Sequence, residues 1–264
     1  MSDIIPADRI VDYDHVHDTV DSSDFEPLRV SCELVEDVVY FDDGLNLDGP
    51  LQWAVYAGLP RKVRDQLPLP NSQPWLPDFE LPVAKWTCPV EEQHECDDRL
   101  TTPGGKLWGW CTTHVLGGWE KAGQAGVRKM AVDQPVKRWT DRKSVNLASG
   151  RFKPSDKTYP TRWTKRPEWH VLGDKDALEE LLARVTHIGK LRGQGRGRLK
   201  LDTKGRPDWT VEPIGSFQMV RDGELLRRMP YGWHGIQRPA RPMPVRAPHW
   251  HRCRWHLMME ADHV

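Results

Sequence analysis

The first regular element is marked by an alternation of apolar and polar residues. Every second residue of this stretch is apolar: Leu28, Val30, Cys32 and Leu34. Such a period of two predicts a half-buried β-strand. Residues 42–44 have the composition of a turn, and Asp48 and Pro50 then stand where the cap and the first turn of a helix are expected. The opening of the chain is therefore predicted as strand, turn and helix.

A second pattern has the spacing of an amphipathic helix. Asp174 is a typical N-cap, and the apolar residues that follow it recur on one helical face: Leu178, Leu181, Leu182, Val185 and Ile188. Gly189 stands where a helix-terminating residue is expected. Further strands are predicted near 199–201 and 209–214. The mixture of strands and helices predicts an α+β fold.

Proline and charge divide the chain into regions. Residues 1–26 are acidic with few large apolar groups, which predicts a disordered tail before a folded region over 27–264. A proline-rich connector and an insertion rich in cysteine and tryptophan are predicted over 60–119. Residues 120–168 are basic and aromatic, and short strand-like stretches there favour β-hairpins.

The formal net charge of +0 conceals a strong asymmetry. Residues 1–100 hold 7 Lys/Arg against 22 Asp/Glu, whereas residues 101–264 hold 31 against 16. The basic part also carries 10 of the 13 tryptophans. Cations for phosphates and flat rings for bases are what single-stranded nucleic acids require, although a solvated basic face over a tryptophan-rich core is the alternative interpretation.

A glycine- and arginine-rich loop is predicted directly after the second helix. Its glycines are Gly189, Gly193, Gly195 and Gly197, and its polar and basic residues are Lys190, Arg192, Gln194, Arg196 and Arg198. Backbone without side chains can approach a phosphate closely, and arginine can hold a phosphate through two parallel hydrogen bonds. The loop follows a helix, so it is neither a Walker loop nor a dinucleotide fingerprint. We therefore predict that the loop is a binding site for RNA. This requires that its lysine and arginine side chains are not already paired with acidic side chains.

The residues around this loop resemble the second half of the RAMP superfamily of CRISPR-associated proteins, and most closely the Cas-five-like subunit of type IV systems. The two main runs are Trp169-His170-Val171-Leu172-Gly173-Asp174 and Ile188-Gly189-Lys190-Leu191-Arg192-Gly193-Gln194-Gly195-Arg196-Gly197. Three further runs fit the same family: Glu26-Pro27-Leu28-Arg29-Val30, Leu47-Asp48-Gly49-Pro50-Leu51-Gln52-Trp53-Ala54 and Ser149-Gly150-Arg151-Phe152-Lys153. Arg196 stands where an aromatic residue is common in the family.

The resemblance implies a ferredoxin-like (RRM-like) domain with a glycine-rich loop and a β-hairpin thumb. It implies a non-catalytic subunit of an antiviral ribonucleoprotein complex that grips the 5′ handle of the guide RNA (crRNA). The thumb would contact the backbone subunit, and the large subunit would be a further partner. In this interpretation Arg142, Lys143, Arg151 and Lys153 would belong to the thumb or to the RNA channel.

Cysteine and histidine are concentrated in the insertion. Cys111 and His114 have the two-residue gap of a zinc knuckle, and Cys88 and Cys96 complete a predicted structural Cys3His site for Zn²⁺. Four protein ligands would leave no open position for catalysis. The alternative is a set of reduced core cysteines with a surface histidine.

Two other functions remain open at this stage. His170 and His187 flank the second helix and are the best-placed bases for a metal-independent endoribonuclease that would process precursor crRNA. A zinc-containing nucleic-acid adaptor is the third hypothesis. No segment has the roughly 20 apolar residues of a membrane span, and no secretory signal or disulfide framework is evident, so a cytoplasmic location is expected.

Overall fold

A computed structural model gives the fold of the chain. The structure describes residues 25–39, 45–64, 79–89, 106–129, 155–233, 236, 238–245 and 255–262. The strands are β1 (Glu26–Cys32), β2 (Val38–Val39), β3 (Lys85–Pro89), β4 (Lys106–Trp110), β5 (Lys121–Lys129), β6 (Ser155–Trp163), β7 (Glu168–Gly173), β8 (Trp209–Pro213), β9 (Val220–Arg221), β10 (Glu224–Leu225), β11 (Met229–Pro230), β12 (Ala240–Pro244) and β13 (Trp255–Met259). The helices are α1 (Asp48–Gly58), α2 (Arg61–Arg64) and α3 (Lys175–Leu182). The predicted α+β class is confirmed, and most of the predicted acidic tail lies outside the described residues.

The central sheet has three antiparallel strands in the order β7-β1-β8. Leu28 and Val30 of β1 stand opposite Val171 and Trp169 of β7, so the alternation seen in the sequence places apolar side chains in one layer. These side chains are buried together with the apolar stripes of α1 and α3, which pack against each other. The strands predicted from Leu28 onward and near 209–214 are therefore present as β1 and β8.

The amphipathic helix is shorter than predicted. Asp174 caps it as expected, because its Oδ1 accepts a hydrogen bond from the Ala177 N–H at 3.1 Å. The prediction that the helix continues to Gly189 is wrong, because α3 ends at Leu182. The N–H groups of Arg184 and Val185 then bond to carbonyls three residues earlier, which is the tighter pattern of a terminating turn. β-Branched residues follow, and they favour extended backbone over helix. Val185 and Ile188 are nevertheless buried, so the apolar pattern marked the core and not the helix length.

Segment 111–116 lies along the outer edge of β7. The Leu172 N–H donates to the Cys111 carbonyl at 3.1 Å, and the Thr113 N–H donates to the His170 carbonyl at 2.9 Å. Isolated antiparallel pairs at Thr112 and Leu116 continue this contact. Residues 111–116 therefore extend the central sheet beyond β7. In the chain they lie between α1 and β7.

The tryptophan-rich part of the predicted insertion belongs to the main core. In the β3–β4 hairpin the rings of Trp108 and Trp110 meet edge to face at 5.3 Å, and Trp86 packs on Trp233 of the C-terminal region at 5.4 Å. One apolar core contains residues from Leu28 to Met259. Within the described ranges, no helix is long and apolar enough to cross a bilayer.

A long basic hairpin joins the glycine-rich loop through β2. Strands β5 and β6 pair in register from Lys121 opposite Trp163 to Lys129 opposite Ser155, and β2 adds to β6. On the other side of β2, Val39 pairs with Lys190. The strand-like stretches that favoured hairpins in this region lie near 128–132 and 144–152, mostly outside the described residues, whereas the paired strands lie at 121–129 and 155–163.

Candidate nucleic-acid interface

The glycine loop, which we define as residues 189–198, is closed by main-chain pairing at its base. The Ile188 N–H donates to the Gly197 carbonyl at 2.9 Å, and the Leu199 N–H donates to the Thr186 carbonyl at 3.0 Å. Inside the loop, the Gln194 and Gly195 N–H groups close a turn on the carbonyls of Leu191 and Arg192. The loop is therefore an ordered element with a fixed course.

Two of its glycines allow close contact with neighbouring backbone. Gly197 has φ +64°, and a Cβ there would lie 1.9 Å from the carbonyl oxygen of Ile188. Gly189 has φ +76°, and a Cβ there would lie 2.8 Å from the carbonyl oxygen of Val39. Gly195 also has positive φ, but a Cβ there would have nothing within 4 Å. Gly189 and Gly197 are thus needed to fold the loop. The sequence had suggested another role for the glycines, namely to let a phosphate approach the backbone.

The loop is fixed to the chain between β1 and β2. The Lys190 N–H donates to the Val39 carbonyl and the Gly197 N–H donates to the Asp37 carbonyl, both at 2.7 Å. These two N–H groups are therefore used inside the protein. The prediction that glycine frees backbone N–H groups for phosphate does not apply to them.

Side-chain pairs follow the same contact. Arg196 forms an ion pair and hydrogen bond with Asp37. Arg198 lies 3.4 Å from Glu36, and these two side chains are 54% and 43% exposed. The prediction required cations without acidic partners, and two of the four loop cations do not meet that requirement. Because the Arg198 pair is long and exposed, it contributes little stability.

Arg192 has a different environment. Its guanidinium carbon lies 4.6 Å from the ring centre of Trp53 on α1, and burial lowers its pKa from the ordinary value. Among the described residues its guanidinium has no ion pair or hydrogen bond. The preceding Leu191 has φ +59°, a left-handed conformation that is unusual for a leucine. The sequence pointed to Arg192 as a site residue, whereas Trp53 stood out only as part of the first helix and of the family-like run 47–54.

Some of the other predicted RNA contacts lie on the loop, and the rest lie outside the described residues. Gln194 and Gly195 are exposed at the turn, and Lys190 is held by its backbone at β2. Gly193 lies in the 3-10 turn Arg192–Gln194. The predicted thumb residues Arg142, Lys143, Arg151 and Lys153 lie outside the described residues, in the connection between β5 and β6.

Of the predicted zinc ligands, Cys111 and His114 are the two whose side chains the structure describes. Cys111 and His114 are buried in segment 111–116, and the His114 Nε2 accepts from the Arg228 N–H at 3.3 Å. Burial raises the pKa of the Cys111 thiol. The backbone of Cys88 on β3 pairs with Leu107 on β4. The Cys111 N–H donates to the carbonyl of Ala84, which precedes β3 and is four residues before Cys88.

That offset corresponds to about 13 Å along a strand between the two backbone positions. Among the described residues, no three Cys, His, Asp or Glu side chains come together as a metal site. Cys96 lies outside the described residues. The structural zinc site stays a prediction, and Cys111 on its own has the environment of a core cysteine.

The two histidines proposed as bases differ in their surroundings. His170 lies on the face of the central sheet opposite the helices, with its Nε2 3.3 Å from Glu168 and its Nδ1 3.3 Å from Arg221. Burial lowers the pKa of His170, Glu168 opposes this, and Arg221 adds to it. His187 follows α3 instead of ending it, and its Nδ1 contacts the Thr186 hydroxyl at 2.9 Å.

More than half of the chain matches one protein family. Residues 117–261, from just before β5 to just after β13, match the family described as CRISPR type IV associated protein Csf3. The comparison with curated proteins found no match. The chain is therefore a type IV CRISPR-associated protein, which confirms the resemblance seen in its sequence. It belongs to the Csf3 family.

Proposed function

We propose that this protein is a guide-RNA-binding subunit of a type IV CRISPR effector complex, and that the glycine loop holds the 5′ handle of the crRNA. The observation that carries this proposal is Arg192, a half-buried guanidinium on a rigid loop without a carboxylate partner among the described residues. Placing a charge away from water is unfavourable unless an opposite charge arrives. An RNA phosphate supplies that charge in the planar, bidentate geometry that arginine prefers.

The arrangement of the central sheet supports an RNA-binding domain of the ferredoxin-like type. Strand β1 lies between β7 and β8, all antiparallel, and segment 111–116 extends the β7 edge. Helix α1 precedes that segment and α3 connects β7 to β8. We propose that these elements form a βαββαβ unit in which 111–116 is the second strand. The glycine loop then follows the second helix of this unit.

The position of the basic hairpin supports a second point of contact. Strands β5 and β6 reach the glycine loop through β2, so a ligand bound at the loop would lie near the base of the hairpin. We propose that this hairpin, together with the undescribed residues Arg142, Lys143, Arg151 and Lys153, is the thumb. Its partner would be a backbone subunit of the complex.

The test is to express the chain alone and together with the neighbouring genes of its locus, purify each preparation and sequence the bound RNA. The proposal predicts one discrete guide species with a common 5′ end and co-purifying partner subunits. RNA of random sequence, or binding to duplexes regardless of sequence, would instead support a nucleic-acid adaptor.

An endoribonuclease is the second candidate, because His170 is polarised between Glu168 and Arg221. That alternative predicts that the purified chain cleaves a hairpin precursor RNA and that His170→Ala abolishes cleavage. An intact precursor after incubation with the wild-type chain would exclude it and leave the non-catalytic subunit.

A further inference from the structure

We propose that Trp53 and Arg192 together form the phosphate-binding centre of the loop, with Trp53 as the residue that positions the guanidinium. This inference rests on the proposed RNA-binding function and adds a residue from α1, outside the family match at 117–261. The ligand is a phosphodiester of single-stranded RNA. The guanidinium carbon lies over the indole ring, and no acceptor among the described residues occupies its N–H groups, so they are available for two parallel hydrogen bonds.

The chain contains its own comparison for a cation held on tryptophan. Lys85 is fully buried, and its Nζ lies 5.4 Å and 4.9 Å from the ring centres of Trp108 and Trp110. Glu80 nevertheless supplies a carboxylate to Lys85 at 3.0 Å. Arg192 lies on a single indole and has no such carboxylate among the described residues. The contact with Trp53 therefore leaves room for an anion that none of the described residues provides.

The backbone just before Arg192 restricts where the Arg192 side chain can lie. Leu191 has φ +59°, a left-handed conformation that is unfavourable for leucine and persists only where the surrounding structure enforces it. The enforcing contacts are the Lys190 bond to Val39 and the turn closed by Gln194 and Gly195. Strained backbone is often found where a side chain must be held in one direction for a ligand. Here the side chain that follows is Arg192.

Two other cations of the loop have acidic partners within the protein. Arg196 and Arg198 pair with Asp37 and Glu36, and Lys200 just beyond the loop lies 2.8 Å from Glu33. The Arg196 pair joins the returning arm of the loop to residues 33–37, whereas the exposed Arg198 pair contributes little stability. Among the described residues, Arg192 has no such acidic partner.

The test is a double-mutant cycle on the full chain, measured by equilibrium binding to a fluorescein-labelled single-stranded RNA with the sequence recovered from the purified complex. Arg192→Ala should weaken binding about tenfold, the loss expected for a charged hydrogen-bonded contact. Trp53→Leu should weaken binding about threefold to fivefold while retaining the salt dependence of wild type, because the charge remains. The double variant should bind no more weakly than Arg192→Ala, because Trp53 acts through Arg192.

Two variants separate positioning from folding. Trp53→Phe keeps a ring face under the guanidinium and should restore most of the affinity lost in Trp53→Leu. Tyr56→Leu removes an aromatic residue from the same helix, one that packs on Phe79, and should bind like wild type. Equal losses in Tyr56→Leu and Trp53→Leu would overturn the inference, because the effect would then belong to helix α1 in general.

The outcomes distinguish this inference from the proposed function. A wild-type chain that binds no RNA contradicts the proposed function itself. A wild-type chain that binds RNA, with Arg192→Ala and Trp53→Leu binding equally well, contradicts only the Trp53–Arg192 centre. Losses that add in the double variant also contradict it, because they would show two independent contacts.

Discussion

Arg227 and Arg192 are both withdrawn from water, and the regions around them differ in what the protein offers the guanidinium. Arg227 is 1% exposed and its Nη2 lies 3.4 Å from Asp48, which is fully buried at the start of α1. Its nitrogens also donate to the carbonyls of Thr112 at 3.0 Å and Val245 at 3.2 Å. Arg192 lies against one indole, and no carbonyl or carboxylate among the described residues accepts from its guanidinium.

The difference teaches how to separate a structural arginine from one that binds a ligand. Arg227 connects α1, segment 111–116 and the C-terminal region, so its hydrogen bonds are completed within the fold. Arg192 is positioned by an aromatic ring and a strained turn, but no carboxylate in the part of the chain that the structure describes balances its charge. We expect mutations at the first to change folding and mutations at the second to change binding.

The largest effect should come from breaking the buried pair. Arg227→Met leaves the Asp48 carboxylate buried without its cation, which typically costs about 3–5 kcal/mol. Unfolding by urea, followed by circular dichroism, measures the free energy. Arg241→Met is the control, because Arg241 and Glu260 are 55% and 57% exposed, and such a pair is worth about 1 kcal/mol or less. Similar losses in the two variants would show that the Arg227 contacts are not structural.

A smaller effect should separate two glycines of the loop. Gly197→Ala would put a Cβ at 1.9 Å from a backbone oxygen, so the loop must shift, and we expect a loss of about 2–3 kcal/mol. Gly195→Ala meets no atom within 4 Å, so only the cost of its positive φ, about 1 kcal/mol, should appear. The same urea measurement compares the two. A Gly195→Ala variant as unstable as Gly197→Ala would contradict the packing described for the loop.

Part of the fold could be predicted because local patterns determine it. The alternation at Leu28 and Val30 and the cap at Asp174 depend on neighbouring residues alone, and both predictions are confirmed. The end of α3 could not be placed, because Val185 and Ile188 are buried by an extended segment whose spacing fits a helix equally well. Asp48 was predicted to cap α1, but its carboxylate pairs with Arg227, a partner that is far away in sequence.

The candidate site shows the same limit. The charge asymmetry along the chain suggested a ligand, yet part of it serves pairing between the acidic and basic parts, as with Asp37 and Arg196. The loop arginines are alike in sequence, and only the fold distinguishes Arg192 from Arg196 and Arg198. Trp53 could not be identified because its contact with Arg192 depends on the packing of α1 beside the loop. The family assignment required only the sequence, since the match covers 117–261.

The most direct test of the central claim compares Arg192→Ala with Arg198→Ala in binding to the guide RNA recovered from the complex, over a series of salt concentrations. The two variants lose the same charge from the same loop. We predict an approximately tenfold loss of affinity and a salt slope smaller by about one for Arg192→Ala, with a change of no more than about twofold for Arg198→Ala. Equal losses in the two variants, or a greater loss for Arg198→Ala, would contradict the claim that Arg192 is the ligand-binding cation of the loop.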